Sequence, residues 1–168
     1  MIGYLSLASP AQWALYVAGF RTGLSEVGYA EGKNVAIEFR WAEGHYDRLP
    51  ALAADLVSHH VAVLVTAGGT GAALAAKAAT STIPIVFMLA SDPVEFGIVA
   101  SLGRPGGNAT GDSIVAVSLV AKRLELLHEL VPNATVIACS SIRTARVPYP
   151  RWRRRRRRRA RSGSSFTS

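Results

Sequence analysis

Four apolar runs in this chain each end on small or polar residues that could hold a ligand. Ser6 and Ser9 follow the run at residues 2–5, and Trp41 follows the alternating Val35, Ile37 and Phe39. Gly68, Gly69, Thr70 and Gly71 follow residues 61–65, and Ser91-Asp92-Pro93 follows residues 83–88. A hydroxyl or carboxylate at such a point can hydrogen-bond an ammonium or hydroxyl group. A glycine turn that opens a helix can offer backbone N–H groups to an anion. Each residue also has a purely structural use. Ser9 and Asp92 suit helix N-caps, Gly69 and Thr70 suit a tight turn, and Trp41 either walls an apolar pocket or packs beneath a loop.

Several chemistries find no support. GGTGAAL lacks the spacing of the dinucleotide fingerprint, and no Gly-Lys-Ser/Thr follows it, so no nucleotide cofactor is expected. His45, His59, His60 and His128 have no carboxylate or thiol companions at metal-ligand spacing, so no metal is expected. The Gly-x-Ser-x-Gly elbow is absent, and no catalytic constellation emerges.

The elements that would position these residues follow from hydrophobic period. Residues 2–6 read as a strand, and Ser9-Pro10 starts a helix carrying Trp13, Val17, Phe20, Leu24 and Val27 on one face. Residues 35–40 alternate as a half-buried strand, and Gly44 and Asp47 open a helix with Leu49, Leu52, Leu56 and Val57 inward. Residues 61–65, the glycine turn and an Ala/Leu-rich helix form half of a βαβ unit. Residues 83–88 make a fourth strand, 94–102 a short helix, Thr110-Gly111 a fifth strand and 117–130 a last helix. Residues 134–138 begin another apolar run that is not completed. The alternation predicts an α/β fold: a Rossmann-like parallel sheet with helices on both faces, followed by a disordered basic tail.

At 168 residues the chain suits one domain of ordinary size, and 49% hydrophobic content suffices for a core. No apolar run is long enough for a transmembrane segment. The N-terminus enters a strand directly, without the features of a signal peptide, so the chain is either cytosolic or starts after its export signal. The lone Cys139 excludes an internal disulfide. The net charge of +8 is unevenly placed. Eight Lys/Arg against eleven Asp/Glu leave the region before Ser141 mildly acidic, and the eleven remaining arginines fall at 143–161. Like-charge repulsion and lost periodicity predict disorder over residues 140–168. That tract could bind nucleic acid or an anionic membrane surface, with Tyr149 and Trp152 for stacking. It also interrupts a strand under way, which a reading-frame change or faulty gene model accounts for better.

Together the segments at 20–34 (FRTGLSEVGYAEGKN), 37–57 (IEFRWAEGHYDRLPALAADLV), 67–80, 82–111 (TIPIVFMLASDPVEFGIVASLGRPGGNATG) and 122–132 (KRLELLHELVP) resemble the ABC-transporter substrate-binding proteins. The resemblance covers residues 2 to about 137. It implies the first lobe of a type I periplasmic-binding fold, in which a hinge joins two Rossmann-like lobes around a small solute. It further implies a non-enzymatic role, a periplasmic location and delivery to an ABC permease, with amino acids among the solutes. The ligand-facing residues it implies here are Ser6, Ser9, Trp41, Gly69, Thr70, Ser91 and Asp92.

On that resemblance, residues 1–114 form the solute-binding lobe and 115–139 the start of a second lobe. Residues 140–168 replace the rest with a non-native tail. A solute clamped between lobes is mostly buried, so a truncated chain with one lobe should bind weakly or not at all. The alternative is a small flavodoxin-like regulatory or nucleotide-binding domain with a basic arm for nucleic acid. An arginine–phosphate complex must weaken steeply as salt rises. A gel-shift assay at increasing salt therefore tests the arm: retention of DNA that vanishes with salt supports it, and no retention at low salt refutes it.

Overall fold

The computed structural model describes residues 1–114 and 120–132. The apolar run at 134–138 and the arginine-rich tail lie outside the described residues. The element order is β1 (Ile2–Ser6), α1 (Pro10–Glu26), β2 (Ile37–Trp41), a 3-10 turn (Tyr46–Arg48), α2 (Leu49–Ser58), β3 (Val63–Ala67), α3 (Thr70–Ala79), β4 (Ile85–Leu89), β5 (Ala109–Ser113) and α4 (Val120–Leu130).

Local chemistry explains the boundaries. Ser9 caps α1 through a capping box: its Oγ accepts from the Gln12 N–H at 3.4 Å, and Gln12 Oε1 accepts from the Ser9 N–H at 3.2 Å. Pro10 then occupies the first turn, where a missing N–H costs nothing. Past the helix, Gly28 takes φ +87° and turns the chain. Pro84 sits just outside β4, where its missing donor spares the ladder.

All pairings are parallel, in the order β2-β1-β3-β4-β5. The register sets Ser6 opposite both Trp41 and Ala67, so the carboxyl ends of the first three strands are level. Leu89 pairs with Ser113 at the same end of the last two. The arrangement is the expected one, parallel strands with helices on both faces.

Side chains alternate across the sheet and build two cores. Leu5, Leu64, Ile85 and Phe87 face α2 and α3, where Leu49, Ala53, Leu56, Ala72, Ala73 and Ala76 are buried. The alanines let α3 lie close against the strands. On the opposite face Tyr4, Phe39, Trp41 and Val65 meet Trp13, Val17 and Phe20 of α1. Here Tyr4 is the hub: its ring lies 5.4 Å from Phe20, 5.2 Å from Phe39 and 5.9 Å from Trp41. Its hydroxyl accepts a bond from Trp13 Nε1 at 3.1 Å. Burial holds the Tyr4 phenol above its usual pKa of 10.0, against a smaller lowering by the Trp13 bond. Farther along the same face, Val86 and Met88 of β4 remain exposed.

Along the outer strand β2, Arg40 organises a polar cluster. Its Nε binds Asp55 Oδ2 of α2 at 2.6 Å, and its Nη2 reaches Glu38 Oε2 at 3.1 Å. Nη1 donates to the carbonyl of its neighbour Phe39 at 3.1 Å. The N–H of Ile2 bonds to the carbonyl of Ala36, and the N–H of Ala42 to the carbonyl of Ser6. Even-numbered residues of β2 therefore face β1, and the Phe39 carbonyl faces away from the sheet.

Two expectations need correction. The segment 94–102 is not a helix but turns over residues 93–97 followed by irregular backbone. Gly97 takes φ +66°, and the N–H groups of Ile98 and Val99 both return to the Pro93 carbonyl, at 2.8 and 3.2 Å. The fold-back buries Pro93, Ile98 and Val99, so apolar burial outweighs helix propensity. The histidines also do not all lack carboxylate company. His59 Nδ1 is 2.9 Å from Glu38 Oε2, a pairing across elements that sequence spacing hides, and 3.9 Å from Asp55 one helical turn earlier, a companion that the spacing does show.

Thr66 is fully buried in β3, and its Oγ1 has no hydrogen-bond partner. An unsatisfied buried hydroxyl costs about 1–3 kcal/mol. Thr66→Val should therefore raise unfolding stability by about 1 kcal/mol, measured by urea denaturation. Loss of stability would mean that the hydroxyl has a partner.

Candidate functional site

Because the strands are parallel, every strand-to-helix turn lies at one end of the sheet. That end is where open α/β sheets hold ligands. Its floor is β1 and β3, and Gly68, just past the end of β3, packs against the end of β1. With φ +77°, Gly68 packs so tightly that a Cβ would stand 2.8 Å from Ser6 Oγ and 3.2 Å from the nitrogens of Leu7 and Ala8. Gly69, at φ +132°, is the N-cap residue of α3 and contributes no side-chain cap. The first turn of α3 thus opens at the rim with the positive end of its dipole unmasked by a neighbouring carboxylate or hydroxyl cap.

Thr70 begins α3, and its Oγ1 lies 2.6 Å from Ser91 Oγ, in the loop after β4. Both residues are half-buried. The Ser91 carbonyl in turn accepts a bond from Ser113 Oγ at 2.8 Å, which ties the end of β5 to the same place. Asp92 Oδ1 accepts from the N–H groups of Val94, at 2.8 Å, and Glu95, at 3.3 Å, and so starts the turn that follows. A carboxylate has about four lone-pair positions, so these two bonds leave Asp92 capacity to accept more.

The structure brings Ser6, Gly69, Thr70, Ser91 and Asp92 to this end of the sheet, but not in equal roles. Ser6 is fully buried beneath Gly68, and its Oγ accepts from the Ala8 N–H at 3.2 Å. Its hydroxyl shapes the β1 turn. Ser9 is engaged in the α1 cap. Trp41 ends β2 level with Ser6, but its ring stacks on Phe39, 5.7 Å away and 3° from parallel, on the α1 side. There it lines a crease of about 290 Å³ with Pro10, Ala14, Val17, Arg21 and Phe39. Ser113 joins the cluster without having been singled out in the sequence. Its position at the end of a strand was the available signal, but five residues of mostly small polar type disguise the strand.

A second crease, of about 230 Å³, lies between β5 and the loop after β4, lined by Phe87, Pro93, Val99, Ser101 and Ser113 among others. Both creases fall below the roughly 300–1,000 Å³ of ordinary ligand pockets. Among the described residues no group of three or more His, Cys, Asp or Glu is arranged to hold a metal ion. No helix among them is long and apolar enough to cross a membrane.

Sequence comparison gives the class of protein to which this parallel sheet belongs. Residues 6–148 match the family described as ABC transporter substrate binding protein, and the chain belongs to that family. Its members are substrate-binding proteins, not enzymes. Among particular relatives, a tyrosine-binding protein of Clostridioides difficile is 39% identical over 119 residues, covering 71% of this chain and 34% of that protein. A Streptococcus pneumoniae ABC domain crystallised with L-Trp is 32% identical with a TM-score of 0.61, covering 67% of this chain and 37% of its own. A conserved domain protein from Vibrio cholerae is 33% identical with a TM-score of 0.69, covering 79% and 44%. The chain thus spans between about a third and a half of the length of these relatives.

Gly68 is the position on which the rim geometry turns. Gly68→Ala should lower stability by at least about 1–2 kcal/mol, the cost of a left-handed conformation with a side chain, and should displace the amide resonances of Leu7 and Ala8. Gly19→Ala, in open space on α1, should instead stabilise by about 0.5–1 kcal/mol. Equal effects at the two sites would refute the close approach at Gly68.

Proposed function

We propose that this chain is the amino-terminal lobe of a substrate-binding component of an ABC importer, and that its solute is an amino acid, aromatic by preference. In this reading residues 1–114 make the lobe and 115–139 lead into a second one. The reading rests above all on the Thr70–Ser91 hydroxyl pair, 2.6 Å apart, beside the uncapped start of α3. The one hydroxyl proton that the pair leaves free, together with a helix N-terminus, suits a carboxylate. Asp92, half-buried one residue on, suits the ammonium group. In this reading Gly69 and Thr70 offer backbone N–H groups, Ser91 a hydroxyl and Asp92 charge. Ser6, Ser9 and Trp41 fix the elements around them. The tyrosine-binding relative and the neighbour crystallised with L-Trp support an aromatic amino acid. The same family relation supports a permease as partner and a location outside the cytoplasm.

The described residues offer a surface to one side of such a ligand, whereas ordinary sites bury roughly 70–90% or more of a drug-sized molecule. On these residues alone, affinity should therefore be millimolar. Titrating the isotope-labelled full chain with L-tryptophan and L-tyrosine should shift the amides of Gly69, Thr70, Gly71, Ser91 and Asp92 and leave those of α1 unmoved. D-Tryptophan should act more weakly. Shifts confined to the α1–β2 crease, or none with either amino acid, would overturn the assignment.

A further inference from the structure

Lys77 is an exposed residue of α3 that forms no ion pair among the described residues, although its charge would suit one. It spends that charge on backbone. Its Nζ donates to the carbonyl of Gly97 at 2.7 Å and to that of Ile98 at 2.8 Å. These carbonyls close the turn that Asp92 opens, since Phe96 N–H returns to the Asp92 carbonyl and Gly97 N–H to that of Val94. The turn therefore carries an anionic side chain on the N–H groups at its start and a cation on the carbonyls at its end. This is the charge order that a short stretch of aligned peptides favours. Lys77 also stands on the helix whose first residue, Thr70, touches Ser91. One helix thus grips the loop after β4 at two points, through Thr70 at the rim and through Lys77 farther along.

We propose that Lys77 is a positioning residue for the solute rim: by holding the Gly97–Ile98 carbonyls it keeps the loop in register with α3, and so keeps Ser91 on Thr70. The apolar anchors Pro93, Ile98 and Val99 bury the loop, but apolar contact is non-directional and tolerates sliding along the core. Two charge-assisted hydrogen bonds from one amine fix direction as well as depth. The proposal rests on the amino-acid reading of the rim, and its test separates the two.

The test compares the wild-type chain with Lys77→Met and Lys77→Arg. Methionine keeps the unbranched stem and nearly the same helix propensity, and arginine restores a cationic donor. In Lys77→Met the melting temperature should stay within a few degrees. Amides of residues 94–99 should exchange faster, and the L-tryptophan response at Gly69, Thr70 and Ser91 should weaken roughly threefold to tenfold, the net worth of one ordinary hydrogen bond. Lys77→Arg should recover most of that response. An unchanged response and unchanged exchange in Lys77→Met would overturn the proposal. So would loss of the response with no rescue by arginine. A wild-type rim indifferent to tryptophan would sink the amino-acid reading instead. The clamp would then stand or fall on the exchange of residues 94–99 alone.

Discussion

The parallel ladder that holds β1 between β2 and β3 is the constraint on which the rest depends. Parallel strands must return through crossovers, so every turn from strand to helix lies at the same end. Ser6 is level with Trp41 on one side and with Ala67 on the other. That level places the glycine turn against β1, and the glycine turn places the start of α3. A slip of one residue in either pairing would exchange the two faces of a strand. It would send Leu5 and Leu64 out of the α2–α3 core and leave Tyr4 without its aromatic neighbours.

From that ladder the site assembles by contact rather than by sequence neighbourhood. Thr70, Ser91 and Ser113 come from three separate segments and meet through two hydrogen bonds. None of them is strongly charged, and none is expected to do chemistry on a bond. They suit recognition, in which polar groups must be presented at fixed separations and water must be displaced from one side.

Most of the architecture was legible from period and punctuation. Ser9-Pro10 announced α1, Gly28 marked its end, and the run VAVLV before the glycines located β3 to within two residues. The strand itself is Val63–Ala67, because Val61 turns inward before the ladder begins. What failed to show was what depends on tertiary context. Residues 94–102 have an acceptable helical composition, yet burial of Ile98 and Val99 and the conformation of Gly97 bend them into turns. The pairing of His59 with Glu38 joins a helix end to a strand, and Ser113 ends a strand that the sequence shows only at Thr110-Gly111. Ser6 and Trp41 end their strands as expected. The division between Thr70 and Ser91, which face each other, and Ser6 and Trp41, which support, needed side-chain geometry.

The bond from Arg40 to the Phe39 carbonyl has a meaning beyond the local ion pairs. The outermost strand of any sheet is a template on which a foreign segment can continue the ladder, and guarding that border with cationic side chains is a recurrent defence. Here the guanidinium occupies an outward acceptor of β2 and is itself anchored to α2 through Asp55. An extended chain arriving from another molecule would have to evict it. A side chain that looks like ordinary surface decoration thereby becomes insurance against fibrous self-assembly, held in place by the helix behind it.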